Sequence, residues 1–174
     1  MKKEKNFLLF EILSTVFILI LGTVLHFTFA FSNNNPIVGV FSAVNESTWE
    51  HLKLLFFPML ITIIIGFFVK NKSINYVCNK TKGLIIALSF IIVFFYTYTG
   101  VIGINYAFLD ISSFFIATLL GQIYAYIKNK NNCPCNISFL VILFLLLFSF
   151  IFFTFFPPHI GLFKDPVTNL YGIN

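Results

Sequence analysis

The 174-residue sequence contains little charge and no arginine. Charged residues make up 10% of the chain, against about 25% in an average soluble domain, and all 11 basic residues are lysines. By contrast, 59% of the residues are hydrophobic and 20% are aromatic, and the mean hydropathy is +0.94. This composition excludes a soluble globular protein, and it excludes a disordered one because disorder requires low hydrophobicity and high charge.

The sequence motifs of several common enzyme classes are also absent. The chain contains no H-E-x-x-H, no Gly-rich phosphate loop, no nucleophile elbow and no dinucleotide fingerprint. The net charge of +5 does not indicate nucleic-acid binding, because the lysines form short clusters between apolar runs rather than a basic patch on a soluble face. We therefore expect no nucleic-acid partner.

Five apolar runs are long enough, or nearly long enough, to cross a bilayer, which takes about 20 helical residues. The first run is too long for a signal peptide and counts as a span. The second is extended to Ser47, because Ser47 to Glu50 has the pattern of a helix capping box. The predicted fold is an all-α integral membrane bundle of five transmembrane helices in one domain, 1–174. The predicted spans are 7–31, 47–69, 84–104, 111–127 and 137–156, with an apolar outer loop at 36–44 and an outer C-terminal tail at 157–174.

Lysine content alternates from one connecting segment to the next. The N-terminus, the 70–82 loop and the loop at 128–130 are rich in lysine, whereas 32–44 and 105–110 have none. The tail carries only Lys164. Because lysines collect on the cytoplasmic side of a membrane, this alternation predicts a cytoplasmic N-terminus and an extracytoplasmic C-terminus.

Most of the other ionisable side chains fall on the predicted outer side. All three histidines and four of the six acidic residues lie there, contributed by different segments. Ionisable groups at this depth need partners or water and are candidates for function. The predicted polar outer site comprises His26, Glu46, Trp49, Glu50, His51, Lys53, Asp110, His159 and Asp165.

Histidines and carboxylates gathered at one boundary favour a zinc site. His26, His51 and His159 offer imidazole ligands, and catalytic zinc binds three such side chains while keeping a position for water. Glu50 and His51 are the predicted catalytic residues, with Glu50 transferring protons. The function predicted first is hydrolysis or modification of a lipid or of a substrate linked to a headgroup.

Structural interpretations remain open for the same residues. Asp110 has the position of a helix N-cap, Glu50 that of a capping-box acid, and Lys53 can pair with Glu50. His26 can form a hydrogen bond between helices. Cys78, Cys133 and Cys135 lie on the predicted cytoplasmic side, where thiols are reduced, and they are only a weak metal-binding signal.

Two other classes of function also remain open. One is a small transporter or ligand-binding protein, in which Glu11 and His26 mark a proton path. The other is a non-catalytic accessory or sensor subunit of a membrane complex. The expected partners are membrane lipids, together with either a second copy of the chain or another membrane protein.

Several segments resemble a family of small uncharacterised polytopic membrane proteins from Gram-positive bacteria. The resemblance covers essentially the whole chain and implies the fold class and a bacterial plasma membrane location, but no activity. The matching residues are Asn34 to Gly39, Asn45 to Leu54, Phe56-Phe57-Pro58, Pro157-Pro158 through Phe163, Asp165-Pro166 and Tyr171-Gly172-Ile173.

Overall fold

The computed structural model describes residues 2–70, 72–131, 133–134 and 136–173, with side chains described from Glu4 onward. Across these residues the chain forms six α-helices and one 3₁₀ turn, and its single β feature is an isolated bridge between Lys164 and Tyr171. Five of the helices are long and apolar enough to cross a membrane, which confirms the predicted fold class. The helices are α1 (Lys2–Phe31), α2 (Pro36–Gly39), α3 (Thr48–Val69), α4 (Ile74–Ile102), α5 (Ala107–Lys130) and α6 (Ser138–Phe155), and the 3₁₀ turn is Gly161–Phe163.

Helix α3 begins where the sequence predicts. Ser47 is its N-cap, and the Ser47 hydroxyl oxygen accepts a hydrogen bond from the Glu50 backbone N–H at 3.4 Å. In a capping box the Glu50 carboxylate would accept a second hydrogen bond from the Ser47 backbone N–H. Here both groups have other partners. The Ser47 N–H donates to the Asn45 side chain at 2.9 Å, while the Glu50 carboxylate accepts from the Val44 N–H at 3.0 Å.

Helices α4 and α5 begin earlier than the predicted spans. Helix α4 starts at Ile74 rather than at Leu84, because Asn79 and Lys80 of its first turns are buried against polar partners on other helices. Helix α5 starts at Ala107, with Tyr106 as its N-cap. Asp110 therefore lies within the first turn of α5, and the N-cap interpretation of Asp110 is wrong.

Helix α3 is the centre of the bundle. It buries 61% of the residues in its most apolar stretch, against 28% or less in the other four long helices. The core around it contains fully buried side chains of α1, α3, α4 and α5. Among these are Ile18, Leu55, Met59, Leu84, Ala87 and Ala117. The outward faces are apolar and exposed, as expected of helices surrounded by lipid.

The two ends of the bundle differ in their residues. The histidine end, as we call it, holds His26, His51, the 32–47 connection and the tail from 157. The lysine end holds the start of α1, the end of α3, the start of α4 and the end of α5. The tail folds back over the histidine end, since the Phe163 ring packs against those of Trp49 and Phe153 at 4.7 and 5.3 Å between centroids.

Candidate metal centre

Three potential metal ligands meet at the histidine end. Ligand atoms of His26, Glu46 and His51 all lie within 4.8 Å of one another. His26 comes from α1, Glu46 from the connection before α3, and His51 from the first turn of α3. The two imidazole rings are 5.3 Å apart between centroids, and His51 Nε2 lies 3.4 Å from Glu46 Oε2. Two helices and a loop therefore bring together residues separated by up to 25 positions.

The fold also orients His51. Its Nδ1 lies 2.9 Å from the Ser47 carbonyl oxygen, which can only accept, so Nδ1–H is the donor. The neutral form of the ring then carries its lone pair on Nε2, the nitrogen that faces Glu46, whereas the protonated form donates Nε2–H to Glu46. A backbone carbonyl that fixes the second nitrogen in this way is a common feature of histidine metal ligands.

His26 has an unused polar atom at the same place. Its Nδ1 is buried and has no hydrogen-bond partner among the described residues. Burying such an atom without a partner is unfavourable, and a cation held between His26, Glu46 and His51 provides a suitable partner. One ring nitrogen of His26 is thus not engaged in a hydrogen bond.

A close helix approach places His26 beside α3. Gly22 lies one turn before His26, and a β-carbon added at Gly22 would be 2.5 Å from the Leu54 carbonyl oxygen and 2.6 Å from the Phe114 ring. Only glycine fits this contact. The absence of a side chain at Gly22 thus allows α1 to bring its histidine to the first turn of α3.

Glu46 is suited to act as an anionic ligand. The hydrogen bond that Glu46 accepts from the Nε2–H of protonated His51 lowers the pKa of the Glu46 carboxyl below its ordinary value of 4.5, and this effect outweighs the opposing effect of partial burial. The carboxylate is therefore ionised at neutral pH. Its side chain is about half exposed, at 51%, and it lies in the wall of a cavity.

This cavity has a volume of about 590 Å³. His26, Glu46 and His51 lie in its wall, together with Asp110, whose carboxylate accepts a hydrogen bond from the Tyr98 hydroxyl. The rest of the lining is mainly apolar and includes a residue of the tail, Val167. The apolar lining residues include Phe27, Leu54, Ile91, Phe95, Ile111 and Phe114.

Glu50 and Lys53 lie apart from the three ligands. The Lys53 ammonium is 2.5 Å from the Glu50 carboxylate and donates to the Gly39 carbonyl at 2.7 Å and to the Thr154 hydroxyl at 3.0 Å. Both side chains are buried, and Glu50 is not among the described residues that line the cavity. The contacts of Lys53 join α2, α3 and α6. A catalytic role for Glu50 stays a prediction.

The other predicted site residues pack within the tail or against it. Trp49 stacks on Phe150 at 4.6 Å between centroids, and His159 stacks on Tyr171 at 4.5 Å. The Asp165 carboxylate accepts from the Val167 N–H and the Thr168 hydroxyl, each at 2.8 Å, and so closes a turn. His159 does not belong to the group formed by His26, Glu46 and His51. Its assignment as a ligand remains a prediction without support from this geometry.

The predicted group of three thiols is described only in part. The Cys78 thiol is buried and donates to the Asn136 carbonyl oxygen at 3.4 Å. Cys135 lies outside the described residues.

A polar cluster at the lysine end went unrecognised in the sequence. The Lys80 ammonium, fully buried, donates to the Glu11 carboxylate and to the Gln122 side-chain oxygen. The sequence pattern predicts a proton path for Glu11 and a loop position for Lys80. The detectable signal was helical spacing, since Tyr76, Asn79, Lys80 and Gly83 share one face ahead of the apolar run at Leu84.

The chain belongs to the family of unknown function DUF6512, whose profile matches residues 1–173. No curated protein and no solved structure matches the chain. The family assignment agrees with the resemblance to an uncharacterised family and supplies no activity. Function must therefore be argued from the site itself.

Proposed function

We propose that this protein resides in a bacterial plasma membrane and binds zinc through His26, Glu46 and His51 at the extracytoplasmic boundary, where it hydrolyses or modifies a lipid-linked substrate. The observation that carries the proposal is the convergence of three ligand atoms from separate segments within 4.8 Å. The bond from His51 Nδ1 to the Ser47 carbonyl supports it, because it leaves Nε2 available as a ligand.

The ligand set suits a catalytic metal. Two imidazoles and one carboxylate are a known catalytic combination for zinc, which keeps a fourth position for water or substrate. Zinc bonds of about 2.1 Å place tetrahedral ligands about 3.4 Å apart, so side-chain adjustment of about 1 Å completes the site. Held by His26, Glu46 and His51, a zinc ion would supply the activation of a water molecule for hydrolysis near neutral pH.

The cavity indicates the substrate class. Its aromatic and aliphatic lining fits an acyl or prenyl chain, and the three ligands in its wall fit the polar group to which that chain is attached. Asp110 is the further carboxylate in this wall, and the Tyr98 hydroxyl holds its orientation. Asp110 is therefore placed to exchange a proton with a substrate, whereas Glu50 is engaged by Lys53.

Zinc titration of the purified protein tests the proposal. The full chain in detergent is stripped with a chelator and titrated with Zn²⁺ by calorimetry. We expect one zinc per chain in the wild type and a loss of at least about tenfold in affinity in His26→Ala and His51→Ala, because each variant removes a ligand. His159→Ala is the matched control, since its ring stacks on Tyr171 outside the cluster.

Two results would overturn the metal site. One is a folded wild type that binds no zinc, in which case the contact of His51 with Glu46 is an ion pair and an accessory or sensor role is favoured. The other is an equal loss of zinc affinity in His159→Ala, since zinc binding would then not depend specifically on the cluster of His26, Glu46 and His51. Proton-coupled uptake in vesicles, with and without Glu11→Gln, tests the transporter alternative separately.

A further inference from the structure

A second cavity opens at the lysine end of the bundle. Its volume is about 440 Å³, and it lies between the start of α1, the end of α3, the start of α4 and the end of α5. Glu4 in its lining and His26 in the metal centre are 22 residues apart on α1, or about 33 Å along the helix axis. It is therefore a site separate from the metal centre.

Unpartnered polar atoms belong to its buried lining residues. The Asn79 side-chain N–H₂ donates to the Asn129 side-chain oxygen at 3.2 Å and to the Cys133 carbonyl oxygen at 3.1 Å. These bonds fix the orientation of both amides. Asn79 Oδ1 and Asn129 Nδ2 are then left buried without a hydrogen-bond partner among the described residues. These two lining residues thus offer one acceptor and one donor.

Buried polar atoms of this kind indicate a ligand. Leaving such an atom unsatisfied is unfavourable, and two of them occur on residues that line the same cavity. An alcohol hydroxyl satisfies both amides, because it can donate to Asn79 Oδ1 and accept from Asn129 Nδ2. A phosphodiester group satisfies only Asn129, since its oxygens only accept.

The rim of the cavity favours an anion. Lys70 and Lys130 lie in the lining and outweigh the carboxylate of Glu4. The N-terminus of α4 also begins here, with its N-cap Ser73 in the lining, and helix N-termini attract phosphate groups. The Lys70 ammonium lies 3.5 Å from the centre of the Phe7 ring, which keeps this charge at the cavity.

We propose that this cavity binds the headgroup of an anionic phospholipid that carries hydroxyl groups. Lys70 and Lys130 bind the phosphate, and the amides of Asn79 and Asn129 bind a headgroup hydroxyl. The cavity lies at the ends of membrane-length helices, which is the level of lipid headgroups, and basic pockets between helix ends are a common form of site for anionic lipids. The site does not depend on the proposed zinc chemistry.

Lipid binding to the purified full chain, followed by native mass spectrometry, tests this proposal. The probes are dioleoylphosphatidylglycerol, dioleoylphosphatidylmethanol, which has the same charge without the hydroxyls, and dioleoylphosphatidylcholine. We expect phosphatidylglycerol to bind about fivefold more tightly than phosphatidylmethanol, as one hydrogen-bonded hydroxyl provides. We expect it to bind about tenfold or more tightly than phosphatidylcholine, which has no net charge.

A pair of lysines on α5 supplies matched variants. Lys130→Gln should weaken phosphatidylglycerol binding about fivefold, the contribution of one lysine near a phosphate. Lys128→Gln should leave it unchanged, because Lys128 lies over the Tyr124 ring and outside the cavity lining. Asn129→Ala should abolish the preference for phosphatidylglycerol over phosphatidylmethanol, with thermal unfolding recorded without lipid to show that the variant is folded.

Three outcomes would overturn the proposal. Equal binding of phosphatidylglycerol and phosphatidylcholine would show that the protein does not select anionic lipids. Equal effects of Lys130→Gln and Lys128→Gln would show that the lipid does not bind in this cavity. Glycerol 3-phosphate serves as a soluble probe with the same polar groups. If it binds as tightly as phosphatidylglycerol, the site is one for a soluble phosphate ester and the lipid is excluded.

Discussion

Lys53 is a single residue on which three segments depend. Its ammonium is fully buried and contacts Glu50 beside it on α3, the Gly39 carbonyl at the end of α2 and the Thr154 hydroxyl on α6. A buried charge is tolerated only when paired and hydrogen-bonded. These contacts therefore hold α2 and the end of α6 against the start of α3.

Replacing Lys53 alone should be severely destabilising. Lys53→Met leaves the Glu50 carboxylate buried without its cation, and breaking a buried pair in this way costs about 3–5 kcal/mol. Thermal or denaturant unfolding in detergent measures the loss. The double variant Lys53→Met with Glu50→Gln should recover part of it, and Lys164→Met, at an exposed position, is the control. A Lys53→Met protein as stable as the control would show that the ion pair does not hold these segments together.

The candidate site was partly predictable at the level of residues. His26, Glu46 and His51 were all identified as outer-side polar residues, because an ionisable group at a membrane boundary stands out in an apolar sequence. Their separation from Glu50 and His159 was not predictable. It depends on the return of the chain through Val44, which donates to Glu50, and on the path of a tail that stacks His159 on Tyr171. Both contacts are made by irregular segments, which lack the repeating sequence pattern from which helix contacts can be predicted.

At the scale of elements, the α1–α3 contact at Gly22 sets the position of His26 in the proposed metal centre. Gly22→Ala adds a methyl group that would lie 2.5 Å from the Leu54 carbonyl oxygen, so α1 must move away from α3. We expect zinc affinity to fall about tenfold or more, because a displacement of about 1 Å spoils a ligand geometry that is held by rigid helices. All three proposed ligands remain present in this variant, so a loss of zinc affinity would result from the changed distance between α1 and α3.

Gly100→Ala is the matched control for this variant. It is also a glycine in a long helix, and a β-carbon added there meets nothing within 4 Å. Gly100→Ala should keep the zinc affinity of the wild type and unfold at the same or a higher temperature, since alanine favours helix more than glycine does. Equal zinc affinity in Gly22→Ala and Gly100→Ala would contradict the role assigned to the close approach.

The helix boundaries show where sequence patterns are limited. Helix α6, Ser138–Phe155, lies within the predicted span 137–156. The predicted span 84–104 leaves out the residues from Ile74, where α4 begins, because lysine and asparagine are typical of loops. These residues are helical and buried since Glu11, Gln122 and Asn129 meet them from other helices, and local sequence does not reveal such distant pairings.

At the scale of the whole molecule, the bundle has a cavity with ionisable side chains in its lining at each end and an apolar middle. Ile18, Met59, Leu84 and Ala117 are fully buried between the two cavities. The two sites therefore face different sides of the membrane, and their assignments depend on which side each end occupies. The proposed topology places the metal centre outside the cell and the proposed lipid site in the cytoplasmic leaflet.

Cysteine labelling in intact cells tests this topology. Lys164 and Lys130 are both exposed and lie at opposite ends of the bundle, so Lys164→Cys and Lys130→Cys are matched probes once the native cysteines are replaced by alanine. We expect a membrane-impermeant maleimide to label Lys164→Cys in intact cells and Lys130→Cys only in opened membranes, because lysine-rich segments remain in the cytoplasm. The reverse pattern would move the metal centre to the cytoplasm. Labelling of both in intact cells would contradict a membrane crossing by α6, the one membrane-length helix between the two positions. Labelling of Lys164→Cys alone would mean that zinc and substrate reach His26, Glu46 and His51 from outside the cell.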